Sequence, residues 1–196
     1  MKTETHVLDN GYDLRGSLGL ALVALLVMGL LYSLAGAGLG RVLFPRQATG
    51  SIVERDGHAV GSSLVAQPFA DARYFQPRPS AANYDPMAAA GSNQARSNPD
   101  LRKRIDDTTA AVARRNGIAA VDVPAELVTQ SGSGLDPDLS PAGVQVQIAR
   151  VAAARKLPPD VVARLVAEHT QARQFGLLGE PRVNVLELNL ALDALR

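Results

Sequence analysis

Hydrophobic positions are concentrated in one stretch close to the amino terminus. The 25 residues between Arg15 and Arg41 carry no charged side chain, and most of them are Leu, Ala, Val or Gly. As an α-helix rising about 1.5 Å per residue, this stretch exceeds the roughly 30 Å hydrocarbon core of a bilayer. We therefore predict a transmembrane helix over residues 16–40, preceded by a short amino-terminal tail, residues 1–15.

A secretory signal peptide is the alternative interpretation of this stretch, because Ala35, Gly36 and Ala37 form the small-residue pattern of a cleavage site. Two features disfavour it. The tail carries two basic and three acidic side chains, so it is not a positively charged leader, and the apolar stretch is longer than the usual run of roughly 7–15 residues. We expect the helix to remain in the mature protein.

Small residues near the end of the helix offer a surface to a second helix. Gly36 and Gly40 are four positions apart, so they lie on one helix face, where small residues let two backbones approach closely. Glycine and alanine also occur where a helix simply ends, and the pattern leaves both explanations open. Gly36 and Gly40 are the candidate helix-packing residues.

The orientation of the helix is weakly specified by charge. Lys2 and Arg15 precede it, and Arg41, Arg46 and Arg55 follow it. Basic residues favour the cytoplasmic side, which gives a slight preference for placing residues 41–196, here called the body, in the cytoplasm. Long domains, however, cross a membrane largely regardless of charge. Charge therefore does not decide on which side of the membrane the body lies.

Residues 41–196 show strand, loop and helix signals in that order. Residues 51–69 are predicted to be extended, and Asp56-Gly57 within them predicts a β-hairpin with a tight turn. Residues 74–98 are rich in Pro, Ser, Asn, Gly and Ala and show no periodicity, which predicts a long loop. The aromatic residues within this loop indicate that it packs on the rest of the domain.

Helix signals follow the loop. One helix is predicted to begin at Pro99 after the cap Asn98. A second is predicted to begin at Pro141 after the cap Ser140, to place Val144, Ile148 and Val151 inward, and to continue to Pro158. Two more place apolar residues on one face: Val162, Leu165 and Val166, then Val185, Leu188, Leu192 and Leu195 after the cap Asn184. The predicted fold is α+β, with one transmembrane helix followed by a single α+β domain, residues 41–196.

The composition of the chain excludes several classes of function. The chain has no cysteine, three histidines and a net charge of +1, which excludes disulfide frameworks, thiolate zinc sites and cysteine nucleophiles and gives no basic field for nucleic acid. It has only three lysines and no Gly-rich loop that ends in Lys-Ser or Lys-Thr, so it is not a P-loop enzyme. No nucleic-acid partner is expected.

One turn could contact a ligand. It precedes a predicted helix, and its amides and hydroxyls could donate to phosphate oxygens. The residues are Ser131, Gly132, Ser133 and Gly134. A flexible connection is the commoner explanation of such a Gly/Ser turn, so both interpretations stay open.

Other candidate metal-binding or catalytic residues lack the neighbouring residues that such sites require. Asp136, Asp138 and Ser140 alternate like the start of a calcium loop, but the prolines among them and the lack of a glycine at the sixth position exclude that geometry. His58 and His169 form neither a catalytic triad nor a zinc ligand set. We predict no catalytic residues and no metal site.

Five sequence strings follow the apolar helix in a fixed order. They are FPRQATGS at 44–51, GSSLVAQPF at 61–69, RPSAANYDPMAAAGSN at 78–93, SGSGLDPDLSP at 131–141 and GEPRVNVLELNLALD at 179–193. Together they resemble the C subunit of the Kdp potassium-transporting ATPase. The resemblance extends from the membrane helix almost to the last residue.

The resemblance implies a subunit of a bacterial inner-membrane pump. A channel-like A subunit would carry potassium, a P-type ATPase B subunit would hydrolyse ATP, and small F and C subunits would assist. This chain would then be an accessory, non-catalytic part that contacts membrane lipid. The residues agree with this, because the chain has no DKTGT phosphorylation motif and no polar membrane residue for potassium.

Two roles compete within this resemblance. In the first, the helix packs beside the A subunit and an extracytoplasmic body stabilises the complex. In the second, the chain is a catalytic chaperone that contacts ATP through residues 131–134 and raises the ATP affinity of the B subunit. ATP is cytoplasmic, so a body on the outer side cannot reach it through the hydrocarbon layer.

We favour the scaffold with a periplasmic or extracytoplasmic body among these roles, because of the resemblance and because the chain offers no lysine for binding phosphate. No cofactor is expected to bind firmly, and ATP would act only through the complex. An unrelated single-pass envelope protein is the third alternative.

Overall fold

A computed structural model describes residues 10–195, with side chains from residue 14 onward. The chain forms two compact units, which meet in sequence between Gly50 and Ser51. The first unit contains the apolar helix and the second contains the mixed helix and sheet domain. The α+β fold class is therefore confirmed.

The first unit is helical along nearly its whole described length. It comprises α1 (Asn10–Ala24), a π-helical stretch (Leu25–Leu31), α2 (Tyr32–Leu43) and the short α3 (Pro45–Ala48). Within the 30-residue helix from Leu14 to Leu43, the most apolar 18-residue window has a mean hydropathy of 2.4, and none of that window is buried. A helix of this length and composition can cross a bilayer. The predicted long apolar helix is thus present, and it extends beyond residues 16–40 at both ends.

The second unit begins with the predicted hairpin, formed by β1 (Ile52–Arg55) and β2 (His58–Ser62). Asp56 and Gly57 both have positive φ, 53° and 77°, as the tightest two-residue hairpin turns require. The prediction that extended structure continues to Phe69 is wrong. The amide of Val65 donates to the carbonyl of Ser62, so the chain turns away directly after β2.

A second sheet was not predicted. It has three antiparallel strands in the order β3 (Asp138–Leu139), β5 (Arg182–Asn184) and β4 (Thr170–Gln171). Strands of two or three residues are too short to show the alternation by which a strand is recognised in sequence.

Five helices follow the long loop, and side chains cap three of them as predicted. They are α4 (Pro99–Asn116), α5 (Pro141–Gln145), α6 (Ile148–Arg155), α7 (Pro159–Glu168) and α8 (Val185–Ala194). The side chains of Asn98, Ser140 and Asn184 accept hydrogen bonds from backbone amides in the first turns of α4, α5 and α8, at 2.9, 3.2 and 3.1 Å. Each cap satisfies an amide that has no partner within its helix.

The prediction of a single helix from Pro141 to Pro158 is wrong. The helix ends at Gln145 and resumes at Ile148, and Gln147 between them is fully buried, with a side chain that binds backbone outside the helix. The positions predicted to face inward nevertheless do so, since Val144, Ile148 and Val151 are all buried. Two short helices therefore bury the face that one helix was expected to bury.

The core of the second unit lies between α5, α6, α7, α8 and β5. It also includes Phe75 from the long loop, whose side chain is completely inaccessible to solvent. Leu195, predicted for the inner stripe of α8, follows the end of that helix and is 38% exposed. The core thus receives one large aromatic side chain from a segment that has no regular secondary structure.

Candidate functional site

Two buried amides anchor the start of the long loop, and we call Asn189 and Gln147 the amide clamp. Asn189 accepts from the amide of Phe75 at 2.8 Å and donates to the carbonyl of the same residue at 2.9 Å. Gln147 does the same for Gln76, at 2.9 and 3.1 Å. Two side chains therefore replace the neighbouring strand that this extended segment lacks.

An ion-pair cluster joins the hairpin and the loop to α8. Asp193 accepts from Arg155 at 2.7 Å, from Arg55 at 2.9 Å and from the hydroxyl of Tyr74 at 3.1 Å. Burial alone would raise the pKa of Asp193, but these three hydrogen bonds together hold it below its ordinary value of 3.8. The guanidinium of Arg155 also lies 5.0 Å from the ring centre of Tyr74. This cluster is structural, and it ties distant segments together.

Arg150 is held in place by neutral acceptors. It donates to the carbonyls of Ala72 and Tyr74 at 2.6 and 3.0 Å, and to the side chains of Asn116 and Gln147 at 2.9 and 2.7 Å. Burial, followed by the nearby charge of Arg115, lowers the pKa of Arg150 to about 10. The side chain remains a cation at neutral pH and reinforces the amide clamp.

The structure brings the four residues of the Ser131–Gly134 turn together, and the turn uses its own polar groups. Ser131 is buried, its amide donates to the carbonyl of Pro79 at 3.0 Å, and its hydroxyl oxygen accepts from the amide of Gly134 at 3.1 Å. The hydroxyl oxygen of Ser133 accepts from the amide of Leu135 at 3.1 Å. The hydroxyls of Ser131 and Ser133 also lie 3.2 Å apart, so one of the two donates to the other. The amides of Ser131 and Gly134 and one hydroxyl proton are thus engaged within the protein.

The glycines of this turn allow a close approach to the long loop. A Cβ atom on Gly134 would lie 2.8 Å from the carbonyl oxygen of Ala90, and one on Gly91 would lie 2.8 Å from the carbonyl oxygen of Gly132. Gly134 also has a φ of 74°, which favours glycine. Glycine is required here for packing between two backbones, whatever else the turn does.

The charges beside the turn are paired. Arg78 binds Asp136 at 3.0 Å, and Arg182 binds Asp138 at 3.1 Å. Burial raises the pKa of Asp138, although Arg182 partly offsets it. A polyphosphate would therefore meet two carboxylates and two arginines that are already neutralised. Of the four backbone amides of the turn, those of the exposed Gly132 and Ser133 make no hydrogen bond to residues 10–195.

The two histidines of the second unit lie apart. His58 is exposed in β2, and Nδ1 of His169 lies 2.9 Å from the carbonyl oxygen of Leu165 at the end of α7. Within the part of the chain that the structure describes, no three His, Cys, Asp or Glu side chains are grouped so that they could hold a metal ion.

The candidate helix-packing residues lie on an open helix surface. Gly36 and Gly40 belong to α2, and a Cβ atom at either position would meet no other described atom within 4 Å. Gly38, on the opposite face, is equally open. Larger side chains at these positions would therefore create no clash within the described chain itself.

Sequence reasoning missed the amide clamp and the arginine network. A signal for the clamp was available, because Asn189 interrupts an otherwise apolar face of α8. A polar residue at a core position needs a buried partner. The sequence gives no indication of which backbone groups supply that partner.

Comparison with known proteins shows similarity over nearly the whole chain. The model of the family described as "K+-transporting ATPase, c chain" matches residues 14–194. The Potassium-transporting ATPase KdpC subunit of Xanthomonas oryzae pv. oryzae is 65% identical over 193 residues, which cover 98% of this chain and 92% of the relative. The subunit of the same name from Methylococcus capsulatus is 52% identical over 178 residues, covering 89% and 94%. That from Shewanella putrefaciens is 49% identical over 180 residues, covering 92% and 88%.

Proposed function

The chain belongs to the family of K+-transporting ATPase c chains, which are non-catalytic subunits of a potassium pump, and from this premise we propose that it is an accessory scaffold of that pump. In this role it stabilises the assembled complex and supports the ATPase subunit without binding a nucleotide itself. Its partners are the channel-like A subunit, the P-type ATPase B subunit and the F subunit of the Kdp complex.

The helix from Leu14 to Leu43 is the observation that carries this proposal. Its apolar side chains are exposed along the whole length, and such a surface is stable only against lipid or other membrane helices. The helix anchors the chain in the bacterial inner membrane. The face that contains Gly36 and Gly40 is the one that packs on a helix of the A subunit.

We place the body on the extracytoplasmic side of the membrane, where it lies near the entry of the ion pathway. The chemistry of the Ser131–Gly134 turn supports this side. Its hydroxyl oxygens accept from neighbouring amides, one hydroxyl donates to the other, and the neighbouring Arg78 and Arg182 are paired with carboxylates. A domain built to bind cytoplasmic ATP would offer free cations to the phosphates.

Direct contact with ATP is the competing function. The outward amides of Gly132 and Ser133 are the feature that favours it, because unpaired amides in a turn can bind an anion. Direct contact with ATP requires that the body lie in the cytoplasm. The two functions therefore differ in a property that can be measured, the side of the membrane on which residues 51–195 lie.

Helix packing tests the scaffold directly. Gly36→Leu with Gly40→Leu fills the proposed packing face, and Gly38→Leu adds the same side chain to the opposite face. With a tag on the ATPase subunit, we expect the double variant to be depleted from the pump purified from potassium-limited cells, while Gly38→Leu is retained. Equal recovery of the two variants would contradict a role for this face. Failure of the unmodified chain to co-purify would contradict the proposed function itself.

A further inference from the structure

A cavity of about 240 Å³ lies between the long loop and α4. Its walls are mostly apolar. Phe69, Pro77, Pro79 and Tyr84 line it on the loop side, and Val112 lines it on the helix side. The cavity is large enough for one or two side chains and smaller than the pockets of roughly 300–1,000 Å³ that hold small molecules.

Three polar groups that line this cavity have no hydrogen-bonding partner among the described residues. The guanidinium of Arg115, the hydroxyl of Thr108 and the side-chain amide of Gln76 line it. None of them makes a hydrogen bond or an ion pair with any residue in the range 10–195. The hydroxyl of Tyr84 is different, because it donates to the carbonyl of Arg78 at 3.0 Å. All three groups can donate a hydrogen bond to a ligand in the cavity.

The cavity carries an uncompensated positive charge. None of its eleven lining residues is acidic. Burial lowers the pKa of Arg115, and the nearby Tyr84 offsets this effect only in part. After burial, the charge of Arg115 is the second cause that lowers the pKa of Arg150. Arg150 has neutral acceptors instead of a carboxylate. The side chain of Arg115 is still exposed to solvent, but its partial burial disfavours the charged form, and a carboxylate beside it would offset that effect.

We propose that this cavity is a socket for an acidic side chain, flanked by an apolar one, that another subunit of the pump inserts. The inference rests on the proposed function and adds to it the chemistry of the contact. The carboxylate would accept from Arg115 and Thr108, and the apolar neighbour would pack on the proline and aromatic wall. A free polyphosphate does not fit this description, because most of the lining is apolar.

Charge removal tests the socket in the assembled pump. Arg115→Gln keeps most of the side-chain length and a donor but removes the charge, and Arg114→Gln is the matched control, because Arg114 is exposed in the same helical turn and does not line the cavity. Loss of one charge-assisted hydrogen bond corresponds to about tenfold or more in affinity. We expect the purified pump to release the Arg115→Gln subunit at least about tenfold faster than the unmodified subunit, and the Arg114→Gln subunit at the unmodified rate. Equal release rates for Arg115→Gln and the unmodified subunit would overturn the proposal.

Photo-crosslinking identifies the occupant. Ala111 lines the cavity and is exposed, so a benzoylphenylalanine placed there leaves Arg115 intact. We expect an adduct with a segment of another pump subunit that contains Asp or Glu, and we expect Arg115→Gln to abolish it. An adduct with lipid, an adduct with a segment without acidic residues, or a yield unchanged by Arg115→Gln would overturn the proposal. Both measurements start from pump that already contains the subunit. A negative result would therefore refute the socket without refuting the scaffold role.

Discussion

Replacement of Gln147 by leucine tests whether the amide clamp holds the long loop on the core. Gln147 is fully buried and makes four hydrogen bonds, two to the backbone of Gln76, one to the carbonyl of Gly143 at 3.1 Å and one from Arg150 at 2.7 Å. Leucine has a similar volume but no polar atom. The substitution therefore removes the hydrogen bonds without opening a large cavity.

The expected cost follows from the groups that lose a partner. The amide and carbonyl of Gln76 are each left without a hydrogen bond, at about 1–3 kcal/mol per buried group. Gln76 is only half-buried, and leucine gains some apolar burial, so we place the net loss at about 3 kcal/mol. For a domain of this size such a loss lowers Tm by about 6–12 °C.

Thermal unfolding and hydrogen exchange of the full chain in detergent measure this effect. Gln145→Leu is the matched control, because Gln145 is exposed two positions earlier, and such a change alters stability by about 0.5 kcal/mol or less. We also expect the amide of Gln76 to exchange faster in Gln147→Leu, while the amide of Phe75, held by Asn189, stays protected. A Tm within about 2 °C of the unmodified chain, with Gln76 still protected, would refute the reasoning.

Two further predictions concern the Ser131–Gly134 turn and Asp193. Ser131→Ala removes the acceptor of the Gly134 amide and is expected to lower stability by about 1–2 kcal/mol in urea unfolding, with no change in the apparent ATP affinity of the pump; a weaker ATP affinity at unchanged stability would instead support nucleotide contact. Because the pKa of Asp193 is lowered by folding, its contribution to stability is present above the ordinary carboxyl pKa of 3.8 and is lost as the pH falls below that value. Asp193→Asn is therefore expected to destabilise the chain at pH 7 and to have little effect near pH 2, whereas the same loss at both pH values would contradict the assigned pairing.

The sequence predicts those parts of the fold that depend on local chemistry. Asp56-Gly57 predicts the hairpin turn because only certain residues adopt positive φ easily. Asn98, Ser140 and Asn184 predict helix starts because a short polar side chain can satisfy a free amide. The long apolar helix is predictable for the same reason, since length and hydropathy are properties of one segment.

The parts that were not predicted depend on contacts between distant segments. The helix break at Gln147 coincides with a hydrogen bond to Gln76, 71 positions earlier, a contact that no local pattern reveals. The three-stranded sheet joins pieces from residues 138, 170 and 182, each too short to be recognised alone. The candidate turn at residues 131–134 was found from its composition, but its engagement with Pro79 and Ala90 could be seen only in the fold.

The side of the membrane on which the body lies tests the scaffold account most directly. The chain has no cysteine, so one introduced by Val121→Cys, at a position 89% exposed, reports on the body alone, and Thr5→Cys reports on the amino-terminal tail. With a membrane-impermeant maleimide applied to spheroplasts, we expect labelling of Val121→Cys before lysis and of Thr5→Cys only after lysis. Protection of Val121→Cys until the membrane is opened would place the body in the cytoplasm and contradict the account.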